Sequence, residues 1–302
     1  MKKRNNITES QNPSSVDIDT KDISEIVNIF NDDNKSIIEG INDSKRDIVD
    51  AVEITLEALV SGGRLFYVGA GTSGRLGVLD ASECRPTFSV ENEMVQGIIA
   101  GGFRALSESI EGAEDDTQDV EKIINKKDIT SKDVVVGISC SGTAPFVLDF
   151  LKQSKCRDAK TIFITFNNIE PLGYVDKIIR TYVGPEIISG STRMKSGTAT
   201  KMILNMISTI TMIKLNKTYG NFMVDLNVVN NKLEYRAINI IKSLTGISQE
   251  DSREALANAK GKVKVALVMI ETDVSYKDAT DLIDKYNGSL RKILDEHLKD
   301  NR

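Results

Sequence analysis

The chain carries a single histidine among its 302 residues, His297, set in the polar run Asp295-Glu296-His297-Leu298-Lys299-Asp300 and read as a solvated surface residue. That scarcity excludes whole mechanisms. A Ser-His-Asp triad would have to rely on His297, and a histidine-rich metal site cannot be built, so proton transfer falls to carboxylates, lysine or tyrosine. Cysteine is almost as rare. Cys84, Cys140 and Cys156 show no C-x-x-C spacing, which supports neither a disulfide framework nor a zinc knuckle and leaves them as structural thiols. Positive charge is also in deficit: a formal net charge of -5 argues against a nucleic-acid partner bound by phosphate neutralisation. Met1-Lys2-Lys3-Arg4 looks like a basic leader start, but Asn5 to Asp19 is polar. The apolar core of a secretory signal is therefore missing, and a cytoplasmic protein with no membrane partner is expected.

What remains is an ordinary globular composition, 40% hydrophobic and 27% charged, long enough for one large domain with a small appendage. Three parts are expected: an N-terminal arm and packing helices over 1–60, an α/β core over 61–240, and a small helical domain over 241–302. Residues 1–22 are polar and weakly patterned. Apolar residues from Ile23 to Val60 then recur near the helical spacing, and Ser61-Gly62-Gly63 ends the run. Beyond it, 64–68, 94–100, 133–139, 160–166 and 177–183 read as strands. Residues 106–112, 117–124, 145–155 and a long apolar stretch from about 191 to 215 read as helices. This alternation predicts an α/β fold, a three-layer, doubly wound parallel sheet covered by helices. Short amphipathic helices follow at 249–259, 262–269, 276–287 and 289–298, punctuated by Gly246, Gly261 and Gly288.

The first strand runs into Gly69-Ala70-Gly71-Thr72-Ser73-Gly74, which has two opposed readings. As G-x-G-x-x-G it suggests a dinucleotide; chemically, Thr72 and Ser73 add hydroxyl donors suited to a phosphate on a sugar. A dinucleotide site needs a helix straight after the loop and a second strand ending in an acid. Here the second strand ends in Gly101-Gly102, and Pro86 is expected to cut short a helix begun at Arg75. The strand at 133–139 feeds a second hydroxyl-rich turn, Ser139-Cys140-Ser141-Gly142-Thr143. Parallel strands put their C-terminal ends on one edge, so both turns can converge on one ligand, with helix N-termini adding partial positive charge. Either turn alone reads equally well as ordinary capping. Gly71, Thr72, Ser73, Ser139, Ser141 and Thr143 are the candidate phosphate and hydroxyl ligands. Arg193 and Lys195, opening the long helix, are candidate partners for an anionic group or simply a polar helix start. Met202, Ile203, Met206, Ile207 and Ile210 read as core or dimer interface.

Two carboxylates stand out. Glu83 lies nine residues past Gly74, and Glu114 sits in Glu111-Gly112-Ala113-Glu114-Asp115-Asp116, a run that on charge alone reads as solvated surface. A sugar-phosphate site without histidine nevertheless needs carboxylates as acid and base.

The run Gly69-Ala70-Gly71-Thr72-Ser73-Gly74-Arg75-Leu76-Gly77-Val78-Leu79-Asp80-Ala81-Ser82-Glu83-Cys84 resembles the signature of the N-acetylmuramic acid 6-phosphate etherase family, which has the sugar isomerase (SIS) fold. The resemblance continues through Val95 to Gly102, Glu111 to Asp116 and Gly190 to Ala199. It also takes in Thr8-Glu9-Ser10-Gln11-Asn12-Pro13 and Tyr219-Gly220-Asn221-Phe222-Met223-Val224-Asp225, and weakens beyond about residue 240. It implies cleavage of the D-lactyl ether at C3 of N-acetylmuramic acid 6-phosphate, a step of cell-wall amino-sugar catabolism, giving N-acetylglucosamine 6-phosphate and D-lactate. It further implies no metal or redox cofactor, and a homodimer in which each site is completed by the partner chain. By the same resemblance Glu83 matches the proton donor to the departing lactate, and Glu114 the second catalytic acidic residue, the base at C2. For acid and base to coexist at pH 7 one carboxyl needs a raised pKa, and Glu83 is expected to be the more desolvated.

Two departures mark this chain. The family more often reads Ser-Gly-Arg-Thr-Pro in the second turn, where this chain has Ser141-Gly142-Thr143-Ala144-Pro145, and Arg85 stands where proline is common. Two alternatives stay open: an aldose–ketose isomerase using the same turns and a glutamate base, and a non-catalytic sugar-phosphate sensor like the glucokinase regulatory proteins. A sensor would not need both Glu83 and Glu114.

Overall fold

Five short apolar runs form the strands β1 (Leu65–Gly69), β2 (Val95–Ile99), β3 (Val134–Ile138), β4 (Lys160–Thr165) and β5 (Lys177–Arg180) in a computed structural model that describes residues 7–226, 228 and 230–300. The Met1-Lys2-Lys3-Arg4 run lies outside the described residues. All strand pairs are parallel, in the order β2-β1-β3-β4-β5. β1 and β3 are buried along their whole length, which is why they read as unbroken apolar runs, while the edge strands β2 and β5 are only partly covered.

Three helices precede the sheet, α1 (Ile23–Asp33), α2 (Lys35–Asp43) and α3 (Lys45–Val60); α4 (Gly71–Phe88), α5 (Val120–Lys127), α6 (Pro145–Lys155) and α7 (Lys195–Lys214) follow its strands. Alternation along β1 shows how both faces are covered. Phe66 and Val68 pack with Val120 and Ile124 of α5 and with Val147, Phe150 and Leu151 of α6. Tyr67 points the other way, against Gly77 of α4, where an added Cβ would come within 2.8 Å of its own Cβ. Its hydroxyl approaches the Leu204 carbonyl of α7 at 3.5 Å. The three-layer doubly wound sheet expected from the alternation is therefore present.

The chain packs as two compact units, one of Met1–Ser82 and Asn92–Ser208, the other of Glu83–Glu91 and Thr209–Arg302. The second holds α8 (Asn231–Thr245), α9 (Gln249–Asn258), α10 (Val263–Thr272), α11 (Tyr276–Lys285) and α12 (Leu290–Asp300). Its core is built from Ile238 and Ile241 of α8, Ala266 and Leu267 of α10, and Ile293 of α12. It takes in α8 and so begins well before residue 241. His297 lies half-buried on α12 rather than fully solvated.

Two local expectations are corrected. Residues 106–112 form no helix: a short 3-10 turn at Phe103–Leu106 gives way to bends, and Gly112 takes a φ of 75°. Its serines and glycine favour turns over a helix interior. Pro86 does not cut the helix short either, because α4 runs from Gly71 to Phe88 and carries Pro86 in its last turn. A proline there costs the one backbone bond to the Ser82 carbonyl, and only the last turn of α4 follows it. A further helix, α8, lies between the long helix and the short amphipathic ones, and its Ala237, Ile238, Ile240 and Ile241 make the buried face.

Candidate active site

In a sheet of order β2-β1-β3-β4-β5 the winding reverses between β1 and β3, and α/β sheets leave a crevice beyond the carboxyl ends at such a point. A cavity of about 420 Å³ opens there. It is lined by Gly71, Thr72 and Ser73 after β1, by Ser139, Cys140, Ser141 and Thr143 after β3, and by Glu114. The fold thus brings together seven of the residues singled out from sequence: Gly71, Thr72, Ser73, Ser139, Ser141, Thr143 and Glu114.

The first turn opens α4. Gly71 has a φ of 52°, a left-handed conformation that favours glycine, and the N–H groups of the helix's first turn have no intrahelical partner. Those donors and the positive end of the helix dipole suit an anion. Gly69 and Gly74 have another reason to be glycine. A Cβ on Gly69 would lie 2.5 Å from the Gly74 nitrogen, and one on Gly74 would lie 2.6 Å from the Gly69 oxygen. The glycine pattern therefore reflects strand and helix in close approach, and β2 is followed by Ala100-Gly101-Gly102 with no acid to hold a ribose.

The second turn is shaped from within. Ser139 Oγ accepts from the backbone N–H groups of Gly142 at 3.2 Å and Ala144 at 3.3 Å. Ser141 Oγ lies 2.9 Å from Thr143 Oγ1 and accepts from the Thr143 N–H at 3.2 Å. Asn167, fully buried, donates from Nδ2 to the carbonyls of Cys140 and Ser141 at 3.3 and 3.2 Å. The two turns meet where Ser73 Oγ sits 3.7 Å from Cys140 Sγ. Burial pushes the Cys140 thiol up to about 11, so it is a small neutral wall of the cavity.

Glu114 reaches the cavity from the loop before α5. Its backbone carbonyl accepts from the Phe146 N–H at 3.0 Å, which pins the loop to the first turn of α6. Its residue surface stays exposed, yet desolvation of the carboxyl raises its pKa, and the negative charge of Asp115 adds to the effect. Within the acidic run, Glu111, Asp115 and Asp116 are exposed as the charge pattern suggests, and Glu114 is the member that lines this cavity.

Three expectations do not meet here. Lys195 is buried and its Nζ lies 2.8 Å from Asp33 Oδ1, so its charge serves an internal ion pair rather than a ligand. Arg193 is exposed and does not line the cavity. Glu83 is exposed on α4, belongs with the second compact unit and does not line the cavity. Within the single chain, Glu114 rather than Glu83 is the glutamate set against the cavity. Asp80, Ala81, Cys84 and Phe88 form the buried face of α4, and Glu83 projects from a different side of the helix.

Glu9, Gly190 and Thr192 also line the cavity and were not among the sequence candidates. Their signals were present: Glu9 lies in the Thr8-Glu9-Ser10-Gln11-Asn12-Pro13 run and Thr192 directly precedes Arg193. Charge drew the assignment to Arg193 and Lys195 instead. A larger cavity of about 700 Å³, lined by Gly101, Ile110, Ile123 and Phe146 among others, lacks the hydroxyl turns. Among the described residues no group of three or more His, Cys, Asp or Glu is placed to hold a metal ion, and no helix is long and apolar enough to cross a membrane.

The model of the glucokinase regulatory protein N-terminal SIS domain matches residues 47–155, and that of the C-terminal lid domain of glucokinase regulatory protein matches residues 220–263. An N-acetylmuramic acid 6-phosphate etherase of Picosynechococcus sp. is 47% identical over 289 residues, covering 95% of this chain and 96% of that one. One of Actinobacillus succinogenes is 44% identical and covers 95% of each. Among solved structures, a phosphoheptose isomerase from Neisseria gonorrhoeae is 17% identical with a TM-score of 0.44, over 62% of this chain and 98% of that one. With identity to the etherases this high along nearly the full length of both sequences, the chain belongs to the N-acetylmuramic acid 6-phosphate etherase family.

Proposed function

We infer that the chain cleaves the D-lactyl ether of N-acetylmuramic acid 6-phosphate, releasing D-lactate and leaving N-acetylglucosamine 6-phosphate. It is a carbon–oxygen lyase of cell-wall amino-sugar catabolism. The observation that carries the reading is that Glu114, a carboxyl with a raised pKa, faces the same cavity as two hydroxyl-rich turns at the winding reversal of the sheet.

The phosphate docks at the first turn of α4, on backbone N–H groups and the Thr72 and Ser73 hydroxyls. Ser141 and Thr143 meet its remaining oxygens or the nearest sugar hydroxyl, while Ser139 holds their turn in shape. In the open-chain sugar the C1 aldehyde acidifies the proton on C2. Glu114 takes that proton, the C2 electron pair forms the C2=C3 bond, and the C3–O bond breaks with its pair leaving on the lactate oxygen. Glu83 protonates that oxygen. Water then adds its hydroxyl to C3 of the enal, and C2 regains a proton. A raised pKa makes Glu114 a stronger base than an ordinary glutamate at the pH where it is still ionised.

The Glu83 role is supplied in trans. Glu83 is exposed on α4 and does not line the cavity of its own chain. In a homodimer the partner's Glu83 completes the cavity. Apolar surface consistent with such a dimer is present: Met202, Met206, Ile210 and Ile213 follow at helical spacing on α7 and remain half-buried or exposed, and Phe103 is 89% exposed. A phosphorylated sugar does not cross a membrane unaided, which supports the cytoplasm as the place of action.

The test is D-lactate release from N-acetylmuramic acid 6-phosphate. Wild-type protein is expected to release it, and Glu114→Ala to lose about 100-fold or more in rate. A wild type that releases no lactate, or that interconverts fructose 6-phosphate instead, overturns the reading.

A further inference from the structure

The N-terminal arm is tied to the second turn by buried polar groups. Thr8 and Asn167 are almost wholly inaccessible. Asn167 Oδ1 accepts from the Thr8 N–H at 3.2 Å, and Asn167 Nδ2 donates to Thr8 Oγ1 at 2.8 Å. The same Nδ2 holds the carbonyls of Cys140 and Ser141, so one side chain joins the arm to the turn that frames the cavity. On the other side the Gly190 N–H donates to the Thr8 carbonyl at 3.1 Å. The residue after this clasp is Glu9, and it lines the cavity.

Glu9 is exposed, with its carboxylate set beside Gly190. Gly190 has a φ of 78°, and a Cβ there would lie 3.0 Å from Glu9 Oε2, so the absent side chain leaves the room that the carboxylate fills. Among the described residues no cation or donor side chain takes up this carboxylate. Apart from Glu114, the remaining polar side chains of the lining are of a different kind. Thr72, Ser73, Ser141, Thr143 and Thr192 offer hydroxyls, which suit a phosphate, whereas an ionised carboxylate only accepts hydrogen bonds and repels anions. Glu9 itself is exposed, so the clasp at Thr8 fixes its backbone while its carboxylate stays open to a ligand in the cavity.

We propose that Glu9 contacts the substrate, accepting a hydrogen bond from a hydroxyl or amide N–H of the amino sugar, and that it sets the direction in which the sugar lies by excluding the phosphate from its end of the cavity. Thr8 and Asn167 act as positioning residues for it. The proposal rests on the reading of this cavity as a sugar-phosphate site.

The experiment compares the full-length wild type with Glu9→Ala and Glu9→Gln by calorimetric titration with N-acetylglucosamine 6-phosphate and, separately, inorganic phosphate. Loss of a hydrogen bond to a charged acceptor weakens binding by about 10- to 100-fold. Glu9→Ala is expected to lose that much affinity for the sugar phosphate while holding inorganic phosphate as tightly as wild type or more so. Glu9→Gln, which keeps an acceptor oxygen, recovers part of the loss. Unchanged sugar-phosphate affinity in Glu9→Ala overturns the proposal, and so does a parallel loss of both ligands, which would mark a merely structural residue. The binding readout stands apart from lactate release, so a wild type that binds the sugar phosphate without releasing lactate defeats the catalytic reading and leaves Glu9 judged on its own result.

Discussion

Single carboxylates in this chain are tuned in opposite directions by what surrounds them. Asp133 is buried at the entry to β3, and burial alone would raise its pKa. Hydrogen bonds from the Arg64 guanidinium and backbone, at 2.8 to 3.0 Å, and from the Thr130 N–H, at 2.9 Å, outweigh that and hold the carboxyl below its ordinary value. A depressed folded-state pKa contributes stability that is present above the unfolded value of about 3.9 and is lost as pH falls through the folded one. Asp133→Asn should therefore cost about 3 kcal/mol in urea denaturation at pH 7 and much less near pH 2. An equal cost at both pH values would refute this account. Glu114 goes the other way. Its raised pKa shifts the acid limb of kcat/KM above the ordinary glutamate value of about 4.3, with activity rising as the base loses its proton. Glu114→Gln should abolish that limb while leaving the melting temperature unchanged or slightly higher, because no desolvated charge remains to be formed; a limb that survives the substitution assigns the base elsewhere.

At the scale of elements, what could be read from sequence followed burial. β1 and β3 were legible because strands covered on both faces show an unbroken apolar run, and α6 because Pro145 fits the first helical position. The two turns were legible because glycine and hydroxyl residues there have a backbone or capping use that spacing reveals. Lys195 was not, since a charge at a helix start does not say which way its side chain points. Glu186, nine residues earlier, settles the local structure: fully buried, it accepts from the N–H groups of Lys195 and Ser196, both at 2.9 Å, and from the Ser196 hydroxyl at 2.7 Å. The lysine side chain then joins α7 to Asp33 of α1. Glu9 stood in a distinctive run, but its place in the cavity was not legible, because its neighbours there lie far along the chain and the Thr8 to Asn167 clasp ties its backbone to them. These placements separate structure from binding. Lys195→Met leaves Asp33 buried without its cation and should cost about 3 kcal/mol in chemical denaturation. The KM of the folded variant should match wild type, and a large rise in KM at unchanged stability would restore Lys195 as a ligand.

At the scale of the whole molecule the central question is whether Glu83 and Glu114 act together. Glu114 lines the cavity; Glu83 is exposed and belongs with the helical unit of the same chain. If each site takes Glu114 from one protomer and the partner's Glu83 from the other, two inactive variants complement each other. In a mixed dimer of Glu83→Ala with Glu114→Ala, one site loses both carboxylates and the other keeps both. Random exchange makes half the dimers mixed, each with one intact site of two, so the mixture should regain about one quarter of wild-type lactate release. Sites confined within one chain predict no recovery, since every site then lacks one carboxylate. Protomer exchange must be verified in the same samples, for instance by native mass spectrometry of variants that differ in a tag. Mixed dimers present without recovered activity would then rule out the shared site, while recovery near one quarter would show that the exposed position of Glu83 on α4 is its working position.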